Sequence, residues 1–266
     1  MGPHGTAVIT GASSGIGSIY ADRLAARGYD LLVVARDAAR LDTLAEHLRA
    51  RDGVAVEVVP TDLGDECALG SLCRRIRDDD LITMLVNNAG IGDVGPLQYA
   101  THEAILQLLM VNVTAPTLLA AAAADNFLRG GAGTIINIGS VTALFPERLD
   151  PVYPATKAYL LSLTQSLEAK LEPTGIRVQA VLPGATRTEI WARSGSDVDA
   201  LPPEIVMTAE DLVDAALAGL DLGERITIPS LPDASRWDEH MAVRAALFPD
   251  LSRREPAARY LSARAR

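Results

Sequence analysis

The chain has 266 residues, 48% of them hydrophobic and 22% charged, the profile of one large soluble domain with a buried core. Its net charge of −10 argues against a nucleic-acid partner, which calls for a basic patch. Cys67 and Cys73 would face different ways on a helix and frame no disulfide, and the scattered His residues form no metal-ligand cluster; a reducing cytoplasm and no metal are expected.

The N-terminus, "MGPHGTAVITG", has no charged region followed by an apolar stretch, so no signal peptide is expected. From there short β-branched runs alternate with longer helical stretches. Strands are predicted at 6–10 (TAVIT), 30–35 (DLLVVA), 54–60, 81–87, 133–139 (GTIINIG), 176–182 and 225–229. Their near-continuous apolar character implies a sheet covered on both faces. Helices are predicted at 18–28, 37–53, 65–79, 101–128, 153–173, 209–222 and 234–247. The second has Leu41, Leu44 and Leu48 on one face, Asp37 as N-cap and Gly53 as stop. Such alternation predicts an α/β fold, a doubly wound parallel seven-stranded sheet with helices on both faces. It reads as a single domain over 1–266. A polar, Pro-containing segment at about 189–207 reads as a mobile lid, and a tail begins at about 230.

Residues 104–124 carry no formal charge and are long enough to span a bilayer. Gln107, Asn112, Thr114, Pro116 and Thr117 interrupt them, and no basic flank follows, so the segment reads as a buried helix and no membrane partner is expected.

The first strand runs into "TGASSGIG", residues 10–17. A dinucleotide pyrophosphate needs backbone approach without a β-carbon and free N–H groups at a helix N-terminus. Gly11 would allow the tight turn, Gly15 the approach to the pyrophosphate and Gly17 close packing of helix on strand. An ordinary strand–helix turn is the plainer alternative, weakened by the position on the first strand of a βαβ unit. The second strand ends in Ala35 and Arg36, with no carboxylate before Asp37. An Arg there can hold a 2′-phosphate where an acidic residue would bond a ribose 2′-hydroxyl. NADP(H) is therefore the preferred cofactor, with NAD(H) the alternative and a merely solvated Arg the bland reading.

In "VYPATKAY" (152–159), Tyr153 and Lys157 stand one helical turn apart, and Lys157 and Lys170 are the only lysines in the chain. A phenol is a poor acid–base group at neutral pH, and a nearby ammonium stabilises its phenolate. The pair can act as one proton-transfer unit; a half-buried Tyr beside a solvated Lys is the alternative. Ser140 ends the fifth strand, where open α/β sheets bind ligands and where a hydroxyl can polarise a carbonyl or simply cap a helix. Asn112 lies in an apolar helix, where its amide needs a partner, catalytic or structural.

Together these residues resemble the short-chain dehydrogenase/reductase family over about residues 5–230. The matching motifs are T-G-x-x-x-G-I-G at 10–17, "NNAG" at 87–90, Asn112, Ser140, Y-x-x-x-K at 153–157, and "PG" at 183–184 with Thr188. The resemblance implies a Rossmann-type fold and an NADP(H)-dependent oxidoreductase that interconverts a ketone or aldehyde and an alcohol. Tyr153 would be the general acid/base. Lys157 would lower its pKa and hold the nicotinamide ribose. Ser140 would bond the substrate oxygen, and Asn112 would position a water leading from Lys157. Cofactor contacts would come from Gly11, Ser13, Ser14, Gly15, Ile16, Gly17, Arg36, Asp62, Leu63, Asn88, Ala89, Gly90, Tyr153, Lys157, Pro183, Gly184, Thr186 and Thr188. NADP(H)-preferring members often carry a basic residue where this chain has Ser13 and Ser14, which leaves Arg36 as the main 2′-phosphate anchor. The partner is a small carbonyl or alcohol substrate, and the resemblance implies a homodimer or homotetramer. A catalytically silent nucleotide sensor or scaffold on the same fold would be expected to lose one of Asn112, Ser140, Tyr153 and Lys157; this chain keeps all four.

Overall fold

The structure, a computed structural model, describes residues 4–261. It divides into a unit ending at Ser230 and a second beginning at Leu231. In the first, a seven-stranded parallel sheet has the order β3-β2-β1-β4-β5-β6-β7. The strands are β1 (Thr6–Thr10), β2 (Asp30–Ala35), β3 (Val56–Pro60), β4 (Ile82–Asn87), β5 (Gly133–Ile138), β6 (Ile176–Val181) and β7 (Ile226–Thr227). The chain leaves β1 in one direction to β2 and β3 and in the other to β4 onward. The carboxyl ends of β1 and β4 thus flank the topological switch point, where ligands bind in open α/β sheets.

Alternate side chains of each strand feed two cores. Ala7, Ile9, Leu31, Val33, Met84, Val86 and Ile136 pack under α1 (Gly15–Ala26), α2 (Ala38–Asp52) and α8 (Ala209–Asp221). Val8, Leu32, Val34, Leu85, Ile135 and Val178 pack under α3 (Glu66–Asp78) and α5 (Ala115–Gly130). The predicted caps form: the Asp37 side chain accepts from the Arg40 amide, and Gly53 closes α2 in the left-handed region at φ 70°.

Three elements depart from expectation. The predicted helix 101–128 is divided into α4 (His102–Leu109), a π-helical turn (Met110–Thr114) and α5. Pro116 has no N–H with which to close the ordinary turn onto the Asn112 carbonyl, and the Ala115 amide reaches back five residues to the Met110 carbonyl. This run, His102–Gly130, is apolar and long enough to cross a membrane, yet Leu108, Val111, Leu119, Ala123 and Phe127 are buried in the fold. Second, β7 keeps only two residues. Third, the 189–207 segment, read from the sequence as a mobile lid, holds α7 (Ile190–Arg193) and two 3-10 turns. A bridge between Thr186 and Met207 closes its base, and the Trp191 indole N–H donates to the Thr186 carbonyl at 2.8 Å.

The second unit contains α9 (Ser235–Ala246) and α10 (Ala258–Leu261). Trp237 stacks on His240 there, at 5.3 Å between ring centroids. Residues 262–266, the end of the Arg-rich tail, lie outside the described residues, as do residues 1–3.

Candidate active site

A groove of about 970 Å³ opens along the carboxyl ends of the strands. At one end lies the β1–α1 turn. Gly11 sits at φ 68°, and a β-carbon on it would meet Asn88 Nδ2 at 2.8 Å and the Ala89 Cα at 2.9 Å. On Gly17 one would lie 2.3 Å from the Gly11 carbonyl oxygen. Two elements therefore converge on a cradle that only glycine permits. Ser14, the N-cap of α1, makes no side-chain cap bond, so the first-turn N–H groups remain for an anion. These features fit a dinucleotide pyrophosphate.

Thr10 bolts the far wall in place. Its hydroxyl donates to the Val86 carbonyl and accepts from the Asn88 and Ala89 amides, both at 3.0 Å, while Asn88 Nδ2 donates back to the Thr10 carbonyl at 2.8 Å. Beneath it Asn87 donates to Asn137, and Asn137 to Thr164, each at 2.9 Å. This buried chain ties β4 to β5 and α6 (Val152–Leu171), the elements that carry the reactive side chains. Cutting such a buried bond on one side costs about 1–3 kcal/mol.

Arg36 lines the groove beside Ser13 and makes no ion pair among the described residues. Asp62, Leu63, Asn88, Ala89, Gly90, Pro183, Gly184, Thr186 and Thr188 line it too. Thr188 faces Gly15 closely: a β-carbon there would lie 3.2 Å from Thr188 Cγ2. Gly17 and Asn112 stand behind the lining. Gly17 packs α1 on the turn. Asn112 accepts from the Ile91 amide at 2.8 Å and donates to the Ile91 carbonyl at 2.9 Å and to Thr156 Oγ1 at 3.3 Å. Its amide thus clamps the Asn88–Ile91 loop to the helix.

Ser140, Tyr153 and Lys157 meet in the middle of the groove. Ser140 both caps the short turn that follows it, accepting from the Thr142 amide at 3.1 Å, and hydrogen-bonds the Tyr153 phenol. Lys157 Nζ donates to the Ile138 carbonyl at 3.0 Å and lies 5.7 Å from the centroid of the Tyr153 ring. The sequence alone suggested that the ammonium would pull the phenol's pKa down. The phenol shifts the other way. Tyr153 is pushed up to about 12 by desolvation, against which the Ser140 bond acts, and the charge of Asp93 adds to the rise. The Lys157 ammonium, buried likewise, is pushed down to about 8.

Sequence reasoning missed three features. Asp93 and Thr142 line the groove beside the phenol, and only their places just beyond β4 and β5 could have pointed to them. Arg40 on α2 grips both carboxylate oxygens of Glu189 at 2.8 Å, strapping the start of the 189–207 segment to α2. No local pattern signals a pair so distant in sequence.

A glycine cradle that fits a dinucleotide thus leads to a Ser–Tyr–Lys cluster at the carboxyl edge of a Rossmann-type sheet. The profile of the short chain dehydrogenase family matches residues 5–199. The chain is 50% identical to a short-chain dehydrogenase from Sphingobium yanoikuyae, solved in complex with NADPH, over 96% of this chain and 98% of that one, with a TM-score of 0.93. It is 46% identical to the bulky-bulky ketone specific alcohol dehydrogenase from Comamonas testosteroni, over 97% of this chain and 98% of that one, with a TM-score of 0.89. A short chain dehydrogenase from Pseudocercospora fijiensis is 32% identical over 70% of this chain, which spans 61% of that longer relative. The chain belongs to the short-chain dehydrogenase/reductase family.

Proposed function

We propose that the protein is an NADP(H)-dependent oxidoreductase that interconverts a ketone or aldehyde and an alcohol. The observation that carries this reading is the convergence of Ser140, Tyr153 and Lys157 on one groove that also holds the glycine cradle and Arg36. NADPH, when bound, supplies the hydride. The chain's own residues do the rest. Ser140 donates to the substrate oxygen and fixes it beside Tyr153. A phenol with its pKa near 12 is fully protonated at neutral pH, so Tyr153 acts as the acid that completes reduction to an alcohol. Lys157 supplies positive charge behind the phenol as the proton leaves. A proton from Lys157 then restores the phenol, and Asn112 positions a water that returns a proton to Lys157. Supporting this, a β-carbon on Gly90 would lie 3.5 Å from Asn112 Oδ1 and 3.7 Å from Lys157 Nζ, so both polar ends reach the same spot.

Arg36 anchors the 2′-phosphate. In paired titrations, NADPH is expected to bind at least about tenfold more tightly than NADH, one charge-assisted contact's worth, and Arg36→Leu to erase the difference by weakening NADPH alone. Equal binding of both by the native protein removes Arg36 from the assignment; binding of neither removes the enzyme reading itself.

The substrate end of the groove is walled by Ile91, Val141, Ile190 and Trp191, which suits a partly apolar carbonyl compound. The protein is further proposed to be a homodimer or homotetramer. Leu106, Leu118 and Leu128 on α4 and α5 stand exposed, and Tyr159 on α6, bonded to Thr117, extends the same helix pair. Light scattering is expected to give a dimeric or tetrameric mass; a single monomeric peak refutes it.

A further inference from the structure

The substrate end of the groove carries two polar groups that proton transfer does not use. Asp93 sits in the loop between β4 and α4 and lines the same cavity as Ser140 and Tyr153. Its Oδ1 accepts from the amides of Val94 at 2.8 Å and Gly95 at 3.3 Å, which fixes the carboxylate on its own turn. Its other oxygen has no partner among the described residues. Thr142, two residues beyond Ser140, lines the cavity as well. Its Oγ1 is buried and makes no hydrogen bond among the described residues. A buried hydroxyl without a partner costs stability, and a loop-held carboxylate with a free oxygen seeks a donor. The lid seals this corner: a β-carbon on Gly92, next to Asp93, would lie 2.0 Å from Ser194 Oγ and 3.2 Å from Ile190 Cγ1. Asp93 also feels the negative charge of Asp150, and burial holds its pKa above the usual carboxylate value.

We propose that Asp93 forms a second polar anchor that selects ketones carrying a hydroxyl or amine beside the carbonyl and rejects those carrying an anion there. This rests on the reading of the site as a carbonyl reductase. The geometry gives each partner its part. Ser140 and Tyr153 take the carbonyl oxygen. The free oxygen of Asp93 accepts the N–H or O–H of the neighbouring substituent. A carboxylate or phosphate at that position would face Asp93, with Asp150 adding to the repulsion. Arg193, which also lines the groove, is paired with Glu189. The anchor is a specificity determinant: it bonds the substituent, not the reacting carbon.

Three probes of one scaffold test it: acetophenone, 2-hydroxyacetophenone and phenylglyoxylate, which place a methyl, a hydroxymethyl and a carboxylate beside the same ketone. With NADPH the native protein is expected to show kcat/KM at least about tenfold higher for the hydroxy ketone than for acetophenone, the worth of one good hydrogen bond. The keto acid is expected to be the poorest of the three. Asp93→Asn keeps the amide-accepting oxygen of the loop turn and removes the charge, so kcat/KM for phenylglyoxylate is expected to rise at least about tenfold relative to acetophenone. Asp93→Ala is expected to collapse the preference for the hydroxy ketone. Binding separates this anchor from the catalytic reading. Calorimetry of the NADPH complex of Tyr153→Phe is expected to show 2-hydroxyacetophenone binding more tightly than acetophenone, with the difference lost when Asp93→Ala is added. Equal binding of the two ketones, or a substrate ratio that none of the variants moves, overturns the anchor. Absence of turnover of every probe by the native protein, with the binding difference intact, overturns the reductase reading and leaves the anchor standing.

Discussion

Tyr153→Phe is expected to lower kcat by about a thousandfold, within the range for loss of a positioned general acid, while NADPH binding changes by no more than a few fold. The substitution removes one oxygen from a partly buried side chain whose ring keeps its packing. That oxygen bonds Ser140, so the variant loses the proton donor and its bond to Ser140 in one step. The glycine cradle and Arg36 lie elsewhere along the groove and are untouched. Single-turnover kinetics with saturating NADPH separates the cases. A variant that binds NADPH and fails to oxidise it against a ketone the native protein reduces places the acid at Tyr153. Turnover within tenfold of native moves the acid to another group and dismantles the assignment.

The frame of the site was legible because its constraints are local. Gly11 at positive φ and Gly17 against the Gly11 carbonyl answer to a turn whose residues are neighbours in sequence, and strand ends with β-branched runs announce where Ser140 must fall. Asp37 and Gly53 bound α2 for the same reason: caps act over one turn. What escaped depends on distant parts of the chain. The π-helical turn at Asn112 follows from Pro116 together with the clamp that Asn112 makes on Ile91. Amphipathic periodicity does not register it, since the apolar stripe runs through unbroken. The order in the lid comes from Trp191 folding back on Thr186 and from Arg40 reaching across to Glu189. Polar composition alone reads as an open loop. The direction of the Tyr153 shift was also beyond the motif. Spacing puts a cation beside the phenol, but how dry the place is depends on β5, α6 and the loop that carries Asp93, and dryness decides the sign.

The same dryness gives the sharpest expectation for Lys157. Its ammonium is buried and its pKa falls from 10.5 to about 8. Between those values the unfolded chain holds a proton that the folded chain has released, so stability rises with pH from about 8 towards 10.5, and the full cost of burying the charge is felt below about 8. A neutral, flexible side chain of similar length removes that cost and can fill the same space. At pH 7, Lys157→Met is therefore expected to melt no lower than the native protein, and to melt higher if the single bond to the Ile138 carbonyl does not make up the difference. Its reductase activity is expected to fall by about a hundredfold or more, because nothing then supports the phenolate as its proton leaves. In the native protein the same titration appears as reductase activity that holds through neutral pH and declines as the pH rises through about 8, where Lys157 loses its charge. Calorimetric melting at pH 7 and at pH 9 reads both sides: the native protein gains on the variant as the pH rises, since its buried charge is released while methionine has none to lose. A variant that melts well below the native protein at pH 7 would mean that the ammonium is held by more than it costs, and a flat activity profile through pH 8 would mean that Lys157 keeps its proton; either result refutes an ammonium held here at the expense of stability.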